Sequence, residues 1–371
     1  MKRRFLAILM AASMVFSLAA CGDSSGGEAD AGGAEESAEA EAEDTSGDIE
    51  ELTITFNSTY SENETNGQLV TKFQEYLDET SGGKITLDIL WGGTVYDDTT
   101  QFQALRDGAV DMISFNNMQD ADYVPYLNFG SYGTGSAENV YECWNQLLFE
   151  DEECSALIEE EAAQYNMKYL NNIGNGIDAL VSTFEWDTLD EFIAGCQTVG
   201  VGDTAKFEAM GLNVSFVVPP EAYDALQRGI CDSSNCSLAA IYSMSWDEVA
   251  PNVVTDGLWA CGGSYTVNLD FWNGLSEAQQ NAIQEAADML GEYSLEMNAE
   301  LEESMIAEIE ERSGITVKAL SDEDAATFFK YVFDTNADNA LNRVAGDEEK
   351  TANMIKILEK AASFYDYEWE H

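Results

Sequence analysis

The side chains best suited to covalent or metal chemistry are scarce or badly spaced in this chain. Its one histidine, His371, is the last residue. A His-dependent triad, a His-ligated metal and the usual imidazole acid–base step are therefore excluded. No GxSxG elbow, no phosphate loop and no GxGxxG after a strand occurs. Cys21 stands apart from six further cysteines, Cys143, Cys154, Cys196, Cys231, Cys236 and Cys261. Cys231-x4-Cys236 has no nearby histidine and no third close cysteine, which is weak support for zinc. Six cysteines in a chain of this length are too few for a disulfide framework, so buried free thiols are expected. The 70 acids make any single carboxylate pair uninformative, which leaves a surface carboxylate-pair hydrolase as the remote alternative.

The charge balance removes another class. The chain carries 16 bases against 70 acids, for a net charge of −54. A nucleic-acid partner needs clustered Lys and Arg and is excluded. Three of the bases, Lys2, Arg3 and Arg4, precede an apolar run from Phe5 to Phe16. That run is short for a membrane span and has the layout of an export signal. Leu18-Ala19-Ala20-Cys21 follows and resembles the lipobox of bacterial lipoproteins, in which residues 1–20 are removed and Cys21 carries the lipid. Residues 22–50 hold eleven acids, no base and no aromatic. Such a segment buries too little apolar surface to offset the entropy of ordering, and reads as a disordered acidic spacer. The expected location is outside the cell, lipid-anchored at the outer face of the bacterial cytoplasmic membrane.

The remaining 320 or so residues suffice for two lobes with their own cores. "ELTITFN" (51–57), "ITLDIL" (85–90) and "AVDMISF" (109–115) read as strands, and 66–79 and 97–107 read as the helices between them. Helices are expected at 137–149 and 154–166, and strands at 167–172, 178–183, 196–202 and 212–218. Pro219 and Pro220 open a helix reaching Arg228. Alternating strands and helices predict an α/β body with parallel sheets. After the strand in 264–272, Ser276 and Gln279 form a capping-box signature. The helix they open is expected to run to about residue 312, with Ala282, Ala286, Met289, Tyr293, Met297, Leu301, Met305 and Ile309 on one apolar side. A helix of that length needs a long body beneath it, which favours two bridged lobes. Residues 321–366 are expected to be mostly helical, capped by Ser321.

Three motifs in order point to one family. Residues 82–115 hold a Gly-Gly-basic turn, a strand, a loop and Ala104-Leu105-Arg106-Asp107-Gly108-Ala109-Val110-Asp111-Met112. "PPEAYDALQRGICD" (219–232) and "FWNGLSEAQQNAIQEAA" (271–287) follow. Together they resemble the DctP-like solute-binding subunits of TRAP (tripartite ATP-independent periplasmic) transporters. The resemblance implies an α/β, two-lobed, periplasmic-binding-protein-like fold of the TRAP type with a long bridging helix. It also implies a small organic solute held between the lobes, permease subunits as partners, and no catalysis. On this reading residues 51–175 and 265–304 form lobe I, and 176–264 and 305–371 form lobe II. A receptor of the same fold serving a sensor is the alternative, with a standard organic-acid receptor beside it.

The chain departs from the pattern that the resemblance implies. The family's carboxylate-clamping arginine in "lkGlKiRv" falls at Val199 when Gly195 takes the motif glycine, and the arginine of "nGfR" falls at Asp178. No arginine lies between Arg106 and Arg228 to replace them. Arg106 and Arg228 read as structural turn residues, and Lys206 as an exposed helix residue. The pocket candidates are Trp91, Phe115, Asn116, Asn175, Asp178, Thr198, Asn235 and Trp259. Each also has a plain structural reading, as a core aromatic or a turn residue. A bare carboxylate would meet a like charge at Asp178, so the expected ligand is neutral or cationic, or an anion bridged by a divalent cation.

Overall fold

The structure, a computed structural model, describes residues 49–116, 123–127, 132–134, 136–174, 176–260 and 263–370. The first part of the body runs β1 (Leu52–Asn57), α1 (Thr65–Ser81), β2 (Ile85–Leu90), α2 (Gln101–Arg106), β3 (Met112–Asn116), β4 (Tyr132–Thr134), α3 (Ala137–Asn145), α4 (Glu152–Gln164) and β5 (Met167–Tyr169). The middle runs β6 (Gly176–Ser182), α5 (Leu189–Gly195), β7 (Val199–Val201), α6 (Ala205–Ala209), β8 (Val214–Phe216), α7 (Pro219–Gln227), β9 (Ser233–Ser237), α8 (Leu238–Ser243) and β10 (Asn252–Ala260). The last part runs β11 (Gly263–Asn268), α9 (Leu269–Gly274), α10 (Glu277–Ser313), β12 (Lys318–Ala319), α11 (Asp322–Val344) and α12 (Glu348–Phe364).

Among the described residues these strands form two sheets. The first has the order β2-β1-β3-β11-β5 and the second β12-β10-β6-β9-β7-β8, with β4 also on β10. The expectation of parallel sheets holds only in part. β1 runs parallel to β2 and β3, and β7 runs parallel to β8 and β9. β11, β5 and β6 are antiparallel to their neighbours, while β10 is antiparallel to β6 and β4 but parallel to β12. The cause is the crossing chain. β5 leads into β6, and β10 into β11, through short links from one sheet to the other, with no helix to reverse direction. β9 and β10 escaped sequence reading. "SSNCS" has no apolar alternation, and β10 carries Asp256 and Gly257 in mid-strand. Tyr132–Thr134, inside the segment expected in lobe I, pairs with β10 of the second sheet.

One core lies between the first sheet, α1 and the start of α10, around Ile54, Phe56, Phe73, Tyr265 and Leu290. It takes in Ile49, within the stretch expected as spacer, and the Glu50 carbonyl accepts from Gln279 Nε2 at 3.2 Å. Another lies behind the second sheet, around Ala179, Val181, Trp246 and Ile309. The largest fills the space beneath α2, α3, α4, α11 and α12. The free cysteines Cys143, Cys154 and Cys231 are buried, and Cys196 and Cys236 half-buried. Burial pushes the Cys143 and Cys154 thiols up to about 12, so both are protonated thiols at neutral pH.

Helix α10 joins the cores. Its 37 residues span about 55 Å. The capping box predicted at Ser276 and Gln279 is present, and Gly314 ends the helix in a left-handed conformation. The buried side is shifted from the expected one. Ala282, Ile283, Ala286, Ala287, Leu290, Gly291, Ser294, Met297 and Ile309 are buried, while Met289, Tyr293, Leu301 and Met305 are half-buried. The shift follows from what lies against the middle of the helix, which is the crossing segment 170–174 rather than side chains. Gln284 Nε2 donates to the Leu170 carbonyl at 2.7 Å and Asn171 Nδ2 to the Ala287 carbonyl at 2.9 Å. Ser294 Oγ accepts from Gly174 N–H at 3.1 Å, and Asn298 Nδ2 donates to the Gly174 carbonyl at 2.7 Å.

Gly291 sits at the closest approach. A Cβ there would lie 2.2 Å from Tyr141 Oη and 2.9 Å from the Asn172 carbonyl oxygen. Ala normally stabilises a helix interior by about 1 kcal/mol over Gly. Here the sign reverses, and Gly291→Ala is expected to destabilise by roughly 1–3 kcal/mol, as overpacking does. Adding Tyr141→Phe should recover part of the loss in urea denaturation. No recovery would mean that the Tyr141 hydroxyl is not the obstacle.

Glu161 on α4 is 5% exposed, and its carboxylate accepts from Tyr126 N–H at 2.8 Å. Burial pushes it up from 4.5 to about 8, against the opposing pull of the backbone bonds from Tyr126 and Leu127 and the charge of Lys350. An acid raised on folding holds its proton more tightly in the native state. Its contribution is therefore full below about pH 4.5 and is lost as pH rises through about 8. Glu161→Gln is expected to make the fall in unfolding free energy between pH 5 and pH 8 shallower by about 1 kcal/mol or more. An unchanged slope in denaturant titrations would contradict this.

Candidate ligand-binding site

In α/β sheets, ligands settle beyond the carboxyl ends of parallel strands. In the first sheet those ends are Asn57, Leu90 and Asn116, so the candidate Trp91 follows β2 directly and Phe115 and Asn116 close β3. Trp91 is half-buried against the first core, and its carbonyl accepts from Thr94 Oγ1 at 3.0 Å. Asn57 anchors this edge, donating from Nδ2 to the Tyr96 carbonyl at 3.0 Å and to Gln101 Oε1 at 3.3 Å.

The carboxyl ends in the second sheet are Val201, Phe216 and Ser237. Asp178, in β6, pairs with Ser237 and so stands at this edge. It is buried, at 4% exposure. On its other side β10 bulges between Thr255 and Trp259, with Gly257 at φ 74°, where a side chain would be strained. A bulge re-aims side chains, and this one carries the fully buried Asp256. Asp256 Oδ1 accepts from Leu258 N–H at 3.0 Å, and Oδ2 from Asn235 Nδ2 at 2.9 Å. The Asn235 amide also donates to the Ala179 carbonyl at 3.0 Å, tying β9 to β6 and β10.

Lys206 completes the group. It is 3% exposed, so its expected exposed position is wrong. The five-residue helix α6 turns Glu208 and Ala209 outward. It buries Phe207 and Lys206 together, with α11 packed against it. The ammonium lies 5.5 Å from the Phe207 ring centre and 5.9 Å from that of Phe328. Burial, and after it the charge of Asp178, pushes Asp256 above the usual carboxylate range, while Lys206 and the two hydrogen bonds pull it back. Asp178 and Lys206 are thus both close enough to act on the buried Asp256, in opposite directions.

The structure thus brings together Asp178 and Asn235 among the sequence candidates and adds Lys206 and Asp256. The available signal was that Lys206 is the only base between Lys168 and Arg228. Thr198 lies at the opposite, amino end of β7, where Asp232 Oδ1 accepts from its N–H at 2.9 Å. Val199, the position matched to the arginine, is fully buried in the large core. Trp259 is half-buried and packs against both cores of the second sheet. Asn175 and Cys21 fall outside the described residues. Arg106 stacks on Phe102 and Tyr165 at 5.6 and 5.1 Å, and Arg228 pairs with Asp224 at the surface, so both are structural. Among the described residues no group of three His, Cys, Asp or Glu side chains is placed to hold a metal ion.

Comparison with known proteins agrees with this architecture. The DctP family, bacterial extracellular solute-binding protein family 7, matches residues 56–335. The C4-dicarboxylate-binding periplasmic protein DctP of Rhodobacter capsulatus is 21% identical over 257 residues, covering 66% of this chain and 73% of the relative. The ectoine-binding periplasmic protein TeaA of Halomonas elongata is 31% identical over 123 residues, 33% of this chain and 36% of the relative. A TRAP periplasmic solute-binding protein from Ochrobactrum anthropi has the same fold, with a TM-score of 0.70 at 20% identity over 85% of this chain and 97% of that one. With a two-lobed α/β body, a bridging helix α10 and a family match over most of its length, this chain belongs to the DctP family of bacterial extracellular solute-binding proteins, whose members bind solutes and are not enzymes.

Proposed function

We propose that this chain is the receptor of a TRAP transporter, which captures a small organic solute between two lobes and hands it to membrane permease subunits. The observation that carries this reading is the pair of sheets, each with a core of its own beside a larger shared one, spanned by one helix, with a polar charged cluster at the strand ends of the second. Two lobes joined by a few crossing segments are built to hinge. Lobe I is taken as 51–175 with 265–304, and lobe II as 176–264 with 305–371, with β4 attached to lobe II through β10. The chain is anchored through a lipid on Cys21, with the acidic stretch after it as a spacer. Among the described residues no helix is long and apolar enough to cross a membrane.

The solute differs from a simple dicarboxylate. Relatives of this chain include a C4-dicarboxylate binder and an ectoine binder, so the family resemblance leaves the solute open. Asp178, Asp256 and Lys206 are all buried, with both Asp178 and Lys206 acting on Asp256, and neither Val199 nor Asp178 supplies a guanidinium. A dianion would meet more repulsion than attraction there. The bridging divalent cation is disfavoured too, because an ammonium already occupies the neighbourhood of the carboxylates.

A thermal-shift screen of acids, amines, zwitterions and polyols, followed by small-angle scattering with the strongest binder, tests the receptor reading. A true ligand at about 100 times its Kd stabilises by roughly 2.7 kcal/mol. The radius of gyration should fall on saturation, and an unchanged value would count against a hinged receptor. For the anchor, Cys21→Ser is expected to move the protein from the membrane to the soluble fraction. Retention on membranes would refute the lipid attachment.

A further inference from the structure

We propose that the C-terminal tail, residues 365–370, is a strap that keeps β4 docked on the second sheet and thereby limits how far the two lobes open. Docking of β4 by the tail is independent of any solute. The limit on opening rests on the receptor reading.

The tail is built to lie along a surface. α12 ends at Phe364, and Asp366 turns the chain away at φ 52°, a left-handed conformation that aspartate tolerates. Tyr367 N–H donates back to the Ala362 carbonyl at 2.9 Å. Across this turn Tyr365, Tyr367 and Trp369 alternate with Asp366, Glu368 and Glu370. A period of two sends rings to one side and acids to the other. The rings are half-buried and the acids exposed. The buried side rests on α11. Ring centres lie 4.8 Å apart for Tyr365 and Phe329, 5.5 Å for Tyr367 and Phe333, and 6.0 Å for Trp369 and Phe333. Tyr367 Oη donates to Asp334 Oδ1 at 2.7 Å. Chain ends stay loose unless they are tied down, and this one is tied at every second residue.

Tyr365 stands where three elements meet. Its ring packs on Phe329 of α11, its hydroxyl bonds with the Cys143 thiol of α3, and it fills the space beside Gly133 of β4, where it leaves no room for a Cβ. β4 needs such a cover. Among the described residues it pairs with β10 alone, at Thr134 with Leu258, Gly133 with Trp259 and Tyr132 with Ala260. So short a ladder is marginal without packing on it. β4 also comes from the first-lobe part of the chain, between β3 and α3, and it binds the end of β10 that leads into β11 of the first sheet. With β4 docked, a hydrogen-bonded ladder ties the lobes in addition to α10 and the short crossing links. With β4 released, only α10, the links and the shared core remain.

The test is hydrogen–deuterium exchange, read by mass spectrometry, on the solute-free mature chain carrying Cys21→Ser. It is compared with the same chain ending at Phe364 and with the full-length variant Tyr365→Ala. In both, peptides covering 132–134 are expected to exchange about 10-fold faster, while those covering 52–57 and 277–290 stay within about 2-fold. Small-angle scattering of the same samples should give a larger radius of gyration once the tail is removed. Circular dichroism checks folding, and if the shortened chain does not fold, Tyr365→Ala decides alone. Unchanged exchange at 132–134 with a lower melting temperature would make the tail a general stabiliser and overturn the proposal. Acceleration at every peptide alike would also overturn it. Faster exchange at 132–134 with an unchanged radius of gyration overturns the limit on opening. None of these outcomes bears on the receptor reading, which the solute screen decides.

Discussion

Two separate cores share one rigid element, and most of the architecture follows from how that element is held. Helix α10 enters the first core through a capping box and the Gln279 bond to Glu50, and Thr80 Oγ1 donates to the Ala282 carbonyl at 2.9 Å. It leaves in the second lobe, where Arg312 Nε donates to the buried Asp247 at 2.9 Å and its guanidinium also reaches the Tyr242 carbonyl at 2.9 Å. Between these anchors the helix gives up apolar side chains for Gly291, Ser294 and Asn298, and the crossing chain takes their place. A backbone buried against a helix must have its polar groups satisfied. The amide and hydroxyl side chains of α10 do this, and they hold segment 170–174 in one register along the helix.

That arrangement limits where the lobes can pivot. The crossing segment is bonded to α10 as far as Gly174, and β6 begins at Gly176 with φ 91°, a conformation open to glycine. Gly133 in β4 is a further tight point. A Cβ there would lie 2.0 Å from Tyr365 Oη, so the segment following α12 packs directly on the strand that joins the second sheet. The largest core is shared, since it joins Ile113 and Tyr169 of the first sheet with Leu180 and Val254 of the second.

The two buried acids with cationic partners show different uses of charge. Asp247 faces a guanidinium that binds it through two nitrogens and fixes a helix end. Asp256 instead feels Lys206, a compact charge on a flexible stem, beside two phenyl rings. The first geometry suits permanent structure.

Much of the outline was legible in the residues. Local signals act over a few positions, so β1, β2 and α1, the Ser276–Gln279 box and the length of α10 could be read from periodicity, caps and glycines. The lack of histidine-dependent chemistry followed from composition, and three ordered motifs pointed to the family. What failed depended on neighbours far away in sequence. β9 and β10 have no apolar alternation because their polar side chains are satisfied across the sheet, Asn235 by Asp256 and Ser233 by the Val181 carbonyl. Lys206 reads as a surface residue in any local window. Only the packing of α6 and α11 on the second sheet places it inside, beside acids that lie 28 positions before it and 50 after it. Sequence alone determined the elements whose signals are local and the lack of histidine-dependent chemistry. Tertiary structure decided which charges are buried together, because burial of a side chain depends on what covers it and not on what adjoins it in the chain.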